Sequence, residues 1–196
     1  MEQSLIHRKE RIILDTIEAI DRYGIQAVST REIAKKQGVS ERIIFKHFPK
    51  KSDLILAVLD YFSQYDSAIV ETAHSKKMRP REAITYFIDS YSVYYENYPA
   101  ITAITQSYDI LRCDPEFKDK IKAIFNNRVE FILEQIKEAQ KSGGLPEQLD
   151  SEALTAVIMG SFNAICLKWR MEECSFPLRE RNAAAINMVL DSFGLV

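Results

Sequence analysis

Apolar residues recur along this chain at intervals of three and four, the spacing of one helix face, and no segment alternates as a strand does. Ile13, Ile17 and Ile20 form the first stripe and predict a helix over residues 5–23, stopped at Gly24. Ser29, with Glu32 three residues on, makes a capping box, and Ile33 and Ala34 follow it inward. Gly38 stands where a helix end calls for left-handed backbone, and Val39 plugs the turn. Ser40 opens a second short helix whose Ile44 and Phe48, four apart, share the inner face. A fourth helix starts near Lys51, carries Leu54, Ile55, Val58, Leu59 and Phe62, and is expected to reach His74. Further helices are expected over 81–97, 100–111, 115–141, 151–171 and 178–193. The one over 115–141 turns Phe117, Ile121, Ile124, Phe125, Val129 and Ile132 inward and stops at Gly143-Gly144; Asp150 caps the next.

The segment Ser29 to Lys51 therefore reads as two short helices, a tight turn and a basic tail, the layout of a helix-turn-helix. The fuller run carries Arg11-Ile12-Ile13, Tyr23-Gly24, Ile33-Ala34, Gly38-Val39-Ser40, His47-Phe48-Pro49, Lys51 and Asp53-Leu54 without a gap. In that order and spacing, residues 8–60 resemble the DNA-binding domain of the tetracycline-repressor (TetR) family of bacterial transcription regulators. Three positions depart from the family pattern. Phe45 stands where tyrosine is usual, so a hydroxyl for a DNA phosphate is lost. Arg42 stands where glycine is frequent, and either reads a base or swings to a phosphate. Lys50 replaces a serine at a helix start, against the helix dipole.

The resemblance implies an all-α fold with two parts. Residues 1–52 would be a three-helix helix-turn-helix domain, and residues 53–196 a helical ligand-binding and dimerisation domain. It implies a homodimer on double-stranded operator DNA, released by a small-molecule effector, with repression as the default. The residues expected at the DNA are Ser29, Thr30, Arg31, Ser40, Glu41, Arg42, Ile43, Phe45, Lys46, His47, Lys50 and Lys51. Ile43 could touch a thymine methyl or support the recognition helix from the side.

Charge agrees with that division. Residues 1–52 hold 11 Lys and Arg against 7 Asp and Glu, and residues 53–196 hold 15 against 21. A basic head on an acidic body suits one part meeting phosphate and the other not. No apolar run approaches the roughly 20 residues of a membrane span, and the N-terminus lacks an apolar signal region. Cys113, Cys166 and Cys174 are odd in number and well separated, as in a reducing cytoplasm. His7, His47 and His74 lack metal-site spacing, no nucleophile has an evident base, and there is no phosphate-binding glycine loop. An enzyme, a metal and a cofactor are not expected.

Two features remain in the C-terminal part. Aromatic residues are plentiful, and Phe62, Tyr65, Tyr86, Phe87, Tyr91, Tyr94, Tyr108, Phe125, Phe162 and Trp169 are the candidates for lining a cavity that takes a largely apolar effector. The helix over 151–171 is apolar on two sides, one carrying Leu154, Val157, Ile158, Phe162, Ile165 and Trp169. A helix buried on both sides needs a second partner. Ala153, Ala156, Met159, Gly160, Asn163 and Leu167 on its other side, with Ile186, Val189, Leu190 and Phe193 of the last helix, are the expected dimer interface.

Overall fold

A computed structural model describes residues 2–195, with side chains from His7 onward, and all regular structure among them is helical. In chain order the helices are α1 (Glu2–Tyr23), α2 (Thr30–Lys36), α3 (Glu41–His47), α4 (Lys51–Ser63), α5 (Asp66–Ser75), α6 (Pro80–Asn97), α7 (Ala103–Gln106), α8 (Tyr108–Leu111), α9 (Lys118–Lys141), α10 (Ser151–Met171) and α11 (Leu178–Ser192). Packing divides the chain into two compact units, one of Met1–Gln64 with Ala100–Ile124, the other of Tyr65–Pro99 with Phe125–Val196.

The first unit is built on α1, which packs against α2, α4 and α7. Its stripe of Ile12, Ile17 and Ile20 is buried together with Ile33 of α2, Ile44 of α3 and Leu54 and Val58 of α4. Burial of each such side chain is worth about 1.5–3 kcal/mol relative to exposure. Lys36 fixes α2 to α1 through Asp15 at 2.8 Å and Glu18 at 2.6 Å. Ser52 of α4 donates to Glu116 at 3.1 Å, and Asp60 pairs with Lys120 at 2.6 Å.

The turn between α2 and α3 is a complete Schellman motif. Val39 N–H donates to the Ala34 carbonyl at 3.0 Å and Gly38 N–H to Lys35 at 3.1 Å, with Gly38 at φ +66°. This turn sets the angle at which α3 leaves α2, and so where α3 can point its side chains.

In the second unit α6 pairs with α11, α10 packs on α11, and α5 packs on α6. Ile84, Phe87, Ile88, Tyr91 and Tyr95 of α6 meet Phe131, Ile158, Phe162, Leu178, Ile186 and Leu190 in its core. Asn182 is fully buried among them and donates to Ser92 Oγ at 3.0 Å. Asp150 caps α10 by accepting from the N–H groups of Glu152 and Ala153 at 2.9 and 3.0 Å.

Four expectations are corrected. The helix expected from Lys51 to His74 is two helices, α4 and α5, broken at Gln64 and Tyr65. No glycine or proline stands between Lys50 and Arg79. The break is made by hydrogen bonding: Ser63 donates to the Leu59 carbonyl, Gln64 N–H turns to Tyr61 three residues back, and a new ladder begins at the Tyr65 carbonyl. The helix expected over 100–111 is a 3₁₀ turn, Pro99–Thr102, followed by α7 and α8, with Thr105 and Ser107 bonded to the carbonyls of Thr102 and Ala103. Phe125 does not face inward. It is 46% exposed, because the buried stripe of α9 runs through Ile121, Ile124, Arg128, Phe131, Ile132 and Ile136, one position away. Val157 of α10 is likewise exposed.

Gly38→Ala tests the turn. Its Cβ would meet nothing within 4 Å, so only the positive φ opposes it. The expected cost is about 1–2 kcal/mol, read as a lower urea midpoint at unchanged m-value.

Candidate DNA-contact surface and effector region

Helices α2 and α3, their N-cap residues and the start of α4 hold the expected contact residues in the first unit. Arg31, Arg42, Lys46, Lys50 and Lys51 are exposed, and none takes part in an ion pair among the described residues. Ser29 accepts from Glu32 N–H at 3.4 Å, as its capping role requires. Ser40 occupies the N-cap position of α3, but its side chain makes no cap bond and is left outward. Thr30 donates to Glu41 at 2.5 Å, tying the starts of α2 and α3 together. Ile44 and Phe48 anchor α3 from below, and Lys9 lies over the Phe48 ring at 5.5 Å. Ile43 and His47 are half-buried, while Phe45 is 42% exposed, a ring held in water by its position on α3. Lys50 N–H donates to Asp53 at 2.9 Å. The aspartate in the first turn of α4 offsets the unfavourable lysine at the helix start.

His47 is the titratable group of this surface. Burial, then Arg8, Lys46 and Lys9, holds its imidazole below the ordinary value of 6.5.

The ten aromatics expected around an effector are divided between the units. In the first, Phe62 is buried and meets Tyr108 edge-on at 6.2 Å. In the second, Phe87 stacks on Phe131 at 5.1 Å and meets Tyr91 at 4.8 Å, and Tyr95 stacks on Phe162 at 6.1 Å. Tyr65 is exposed against the ring of half-buried Tyr94, 5.1 Å away. Trp169 is buried and donates to the Phe176 carbonyl at 2.9 Å, which fastens the loop after α10. Grooves of about 310 and 470 Å³ occur in the second unit, and Tyr86 lines the smaller with Thr85, Asp89, Ile186 and Asn187. The other aromatics of this set line neither groove.

One polar cluster at the heart of these rings was missed from the sequence. Arg128 of α9 is 7% exposed and grips Asp66 of α5 through Nε at 3.0 Å and Nη2 at 2.8 Å. Tyr91 donates to the same carboxylate at 2.6 Å, Arg128 Nη1 donates to Tyr95 Oη at 3.3 Å, and the guanidinium lies 4.4 Å from the centre of the Tyr91 ring. Burial raises the Tyr91 phenol well above its ordinary value, so it remains a donor. The available signal was Arg128 itself, a charge at a stripe position four residues after Ile124. Cys166 is also buried, and burial pushes its thiol up to about 12, which makes it inert.

The expected dimer face needs a correction. Ile186 and Leu190 are 1% and 0% exposed within their own unit and cannot reach a partner, because they fill the core beside α6. Ala153, Ala156, Gly160, Asn163 and Leu167 of α10 are exposed, as is Phe193, and Met159 and Val189 are half-buried. Val157 and Met171 of α10 and Met188 of α11 extend this apolar face, at 50%, 75% and 66% exposure.

Residues 12–58 match the family model for bacterial regulatory proteins of the tetR family, and residues 62–192 match that for the C-terminal region of YsiA-like proteins. The chain belongs to the TetR family of bacterial transcription regulators. It is 23% identical to the nucleoid occlusion factor SlmA of Vibrio cholerae over 157 residues, 79% of this chain and 80% of that one. Its fold is that of the transcriptional regulator FadR of Bacillus subtilis, solved with stearoyl-CoA, at a TM-score of 0.78 and 20% identity, covering 92% of this chain and 96% of that one. The ketosteroid regulator KstR2 of Mycobacterium tuberculosis superposes at a TM-score of 0.82 and 16% identity, covering 95% of each chain. As in other TetR-family members, a DNA-binding helix-turn-helix is joined to a helical C-terminal domain.

The lowered His47 is expected to give opposite pH signs to folding and to DNA binding. With a folded value below the unfolded one, its stability contribution is fully present above the ordinary value and is lost as pH falls from there through the lowered folded value. A phosphate beside His47 would favour the imidazolium, so operator affinity should rise as pH falls, by less than about tenfold per unit for each His47 that meets a phosphate, the limit for one proton. Titration of operator affinity from about pH 8 to about pH 6 should show a shallower slope for His47→Gln.

Proposed function

We propose that this protein is a homodimeric repressor that binds operator DNA through residues 1–52 and is released by a small, largely apolar molecule held by residues 53–196. The observation that carries this reading is the exposed α3 with Arg42 and Lys46, followed by exposed Lys50 and Lys51, in a chain of this family. Every candidate DNA contact lies at or before Lys51, which is the reason for a functional boundary there even though the compact packing unit extends further.

In this reading two α3 helices enter successive major grooves about 34–36 Å apart. Lys46, Lys50, Lys51 and the helix starts at Ser29 and Ser40 hold phosphates. Arg42, Thr30 and Ile43 face base edges, with the Thr30–Glu41 bond setting what Thr30 can still accept. The dimer forms through the exposed faces of α10 and α11, where Gly160 and the alanines allow close approach. The effector acts only by its different affinity for the DNA-competent and DNA-incompetent states. The aromatic interior of the second unit supports an apolar effector. So do two relatives in fold: FadR of Bacillus subtilis holds stearoyl-CoA and FadR of Thermus thermophilus holds lauroyl-CoA. No helix among the described residues is long and apolar enough to cross a membrane, and we place the protein in the cytoplasm, at its operator.

The test is selection of binding sites from random or genomic DNA by the purified protein. A two-fold symmetric site is expected, and no enrichment of any sequence would end the reading. Arg42→Ala should then weaken that site by about 1–3 kcal/mol and relax preference at one position per half-site. A uniform loss over all sequences would make Arg42 a phosphate contact.

Gly160→Trp isolates the interface. Gly160 is exposed and a Cβ there meets nothing within 4 Å in the single chain, so a side chain starts into open space that a packed partner would occupy. Sedimentation should show the wild type as a dimer and the variant as a monomer or aggregate, with operator binding lost. A dimeric, DNA-binding variant would move the interface elsewhere.

A further inference from the structure

The second unit holds one buried charged side chain among the described residues, Arg128, paired with the largely buried Asp66. Among the described residues every other buried polar side chain is neutral: Thr16, Ser52, Ser92, Thr102, Ser107, Thr155 and Asn182. Stability is a poor reason for such a pair, because well-packed apolar residues of similar volume serve as well or better. The arrangement has the form of a recognition site. A guanidinium fork grips both oxygens of one carboxylate, one phenol, Tyr91, donates to that carboxylate, and a second, Tyr95, accepts from the arginine. Two-point binding of this kind is how arginine selects carboxylates. Around it Phe87 meets Tyr91 edge-on and stacks on Phe131, and Phe162 stacks on Tyr95.

We propose that Arg128 is the receptor for the carboxylate of an otherwise apolar effector, and that Asp66 holds that position in the unliganded chain. This rests on the reading above that residues 53–196 take an apolar molecule. The two partners are unequal in a way that suits exchange. The Asp66 side chain is 15% exposed and that of Arg128 8%, so the aspartate lies nearer water. It stands in the first turn of α5, directly after the break at Gln64 and Tyr65, whereas Arg128 is fixed in the middle of the long α9. An incoming carboxylate satisfies Arg128 without leaving a buried charge unpaired, and the aspartate departs into solvent, where its ionised form is stable. What changes is the anchor of the first α5 turn, three residues after the end of α4.

Thermal unfolding and operator binding of the full chain, each with dodecanoate, dodecanol and lauroyl-CoA, test this. The wild type should bind dodecanoate more tightly than dodecanol by about tenfold or more, as a charge-assisted contact provides. Asp66→Asn removes the internal competitor. It should melt lower alone, recover with dodecanoate but not with dodecanol, and bind dodecanoate about tenfold more tightly than the wild type does. Asp66→Leu with Arg128→Met should remain folded and bind the acid and the alcohol alike. Equal binding of the two by wild type and Asp66→Asn would overturn the proposal. So would a preference for dodecanoate that survives Arg128→Met, or lauroyl-CoA binding that is lost with Arg128→Met while dodecanoate shows no preference, since the arginine would then meet phosphate. Operator binding without additive separates the two readings: a wild type that prefers dodecanoate yet binds no operator sinks the repressor and keeps the receptor.

Discussion

The aliphatic seam between α1 and the three helices that follow it carries the DNA-facing surface. Helices α2 and α3 have seven residues each, too short to persist alone in water. They exist because Ile33, Ala34, Ile44 and Phe48 are withdrawn from water against α1 and α4. Only then do Arg42, Phe45 and Lys46 have a fixed direction. The Gly38 turn adds the angle, since its left-handed backbone lets one chain segment close α2 and open α3 within four residues. A base-reading side chain is useful only if it is held within a fraction of its own length, so the seam and the turn precede the chemistry.

The second unit solves a different problem. Its rings pack on one another, and the Asp66–Arg128 ion pair lies among them. An apolar interior that keeps an arginine and an aspartate accepts a desolvation cost on both. Tyr91 reduces it by donating to the carboxylate, and the Tyr91 face reduces it by lying against the guanidinium. The cluster joins α5, α6 and α9, so it also fixes where α5 begins.

Helix α10 carries two apolar stripes, one buried and one exposed. Leu154, Ile158, Phe162, Cys166 and Trp169 repeat at three and four and are buried within the unit. Ala153, Ala156, Gly160, Asn163 and Leu167 repeat with the same period, about half a turn round the helix, and are left exposed. The sequence pattern shows both stripes. It does not say which residues of α11 stand on which side, and the expectation misplaced Ile186 and Leu190 for that reason: both are apolar, and only the partner helix α6 decides that they belong to the core.

Helix content, the helix-turn-helix and its glycine turn, the cap at Asp150 and the basic head were legible in the sequence, because each depends on residues within one or two turns of each other. Periodicity, left-handed glycine and capping are local physics. The break between α4 and α5, the fragmentation around Ser107, the outward turn of Phe125 and the Asp66–Arg128 pair were not legible. The first two turn on serine and threonine bonds to carbonyls three or four residues back, which the sequence permits without requiring; the last two depend on which ring or charge arrives from elsewhere in the chain, up to 62 residues away for Asp66 and Arg128. Asp66 looks like an ordinary helix-start acid, and Arg128, though it stands at a position of the buried stripe, has no partner named by the sequence until folding brings them together. Their burial then turns two common residues into a charged pair of the interior, since the strength of a charge interaction is set by the medium around it, and that medium is made only by tertiary structure.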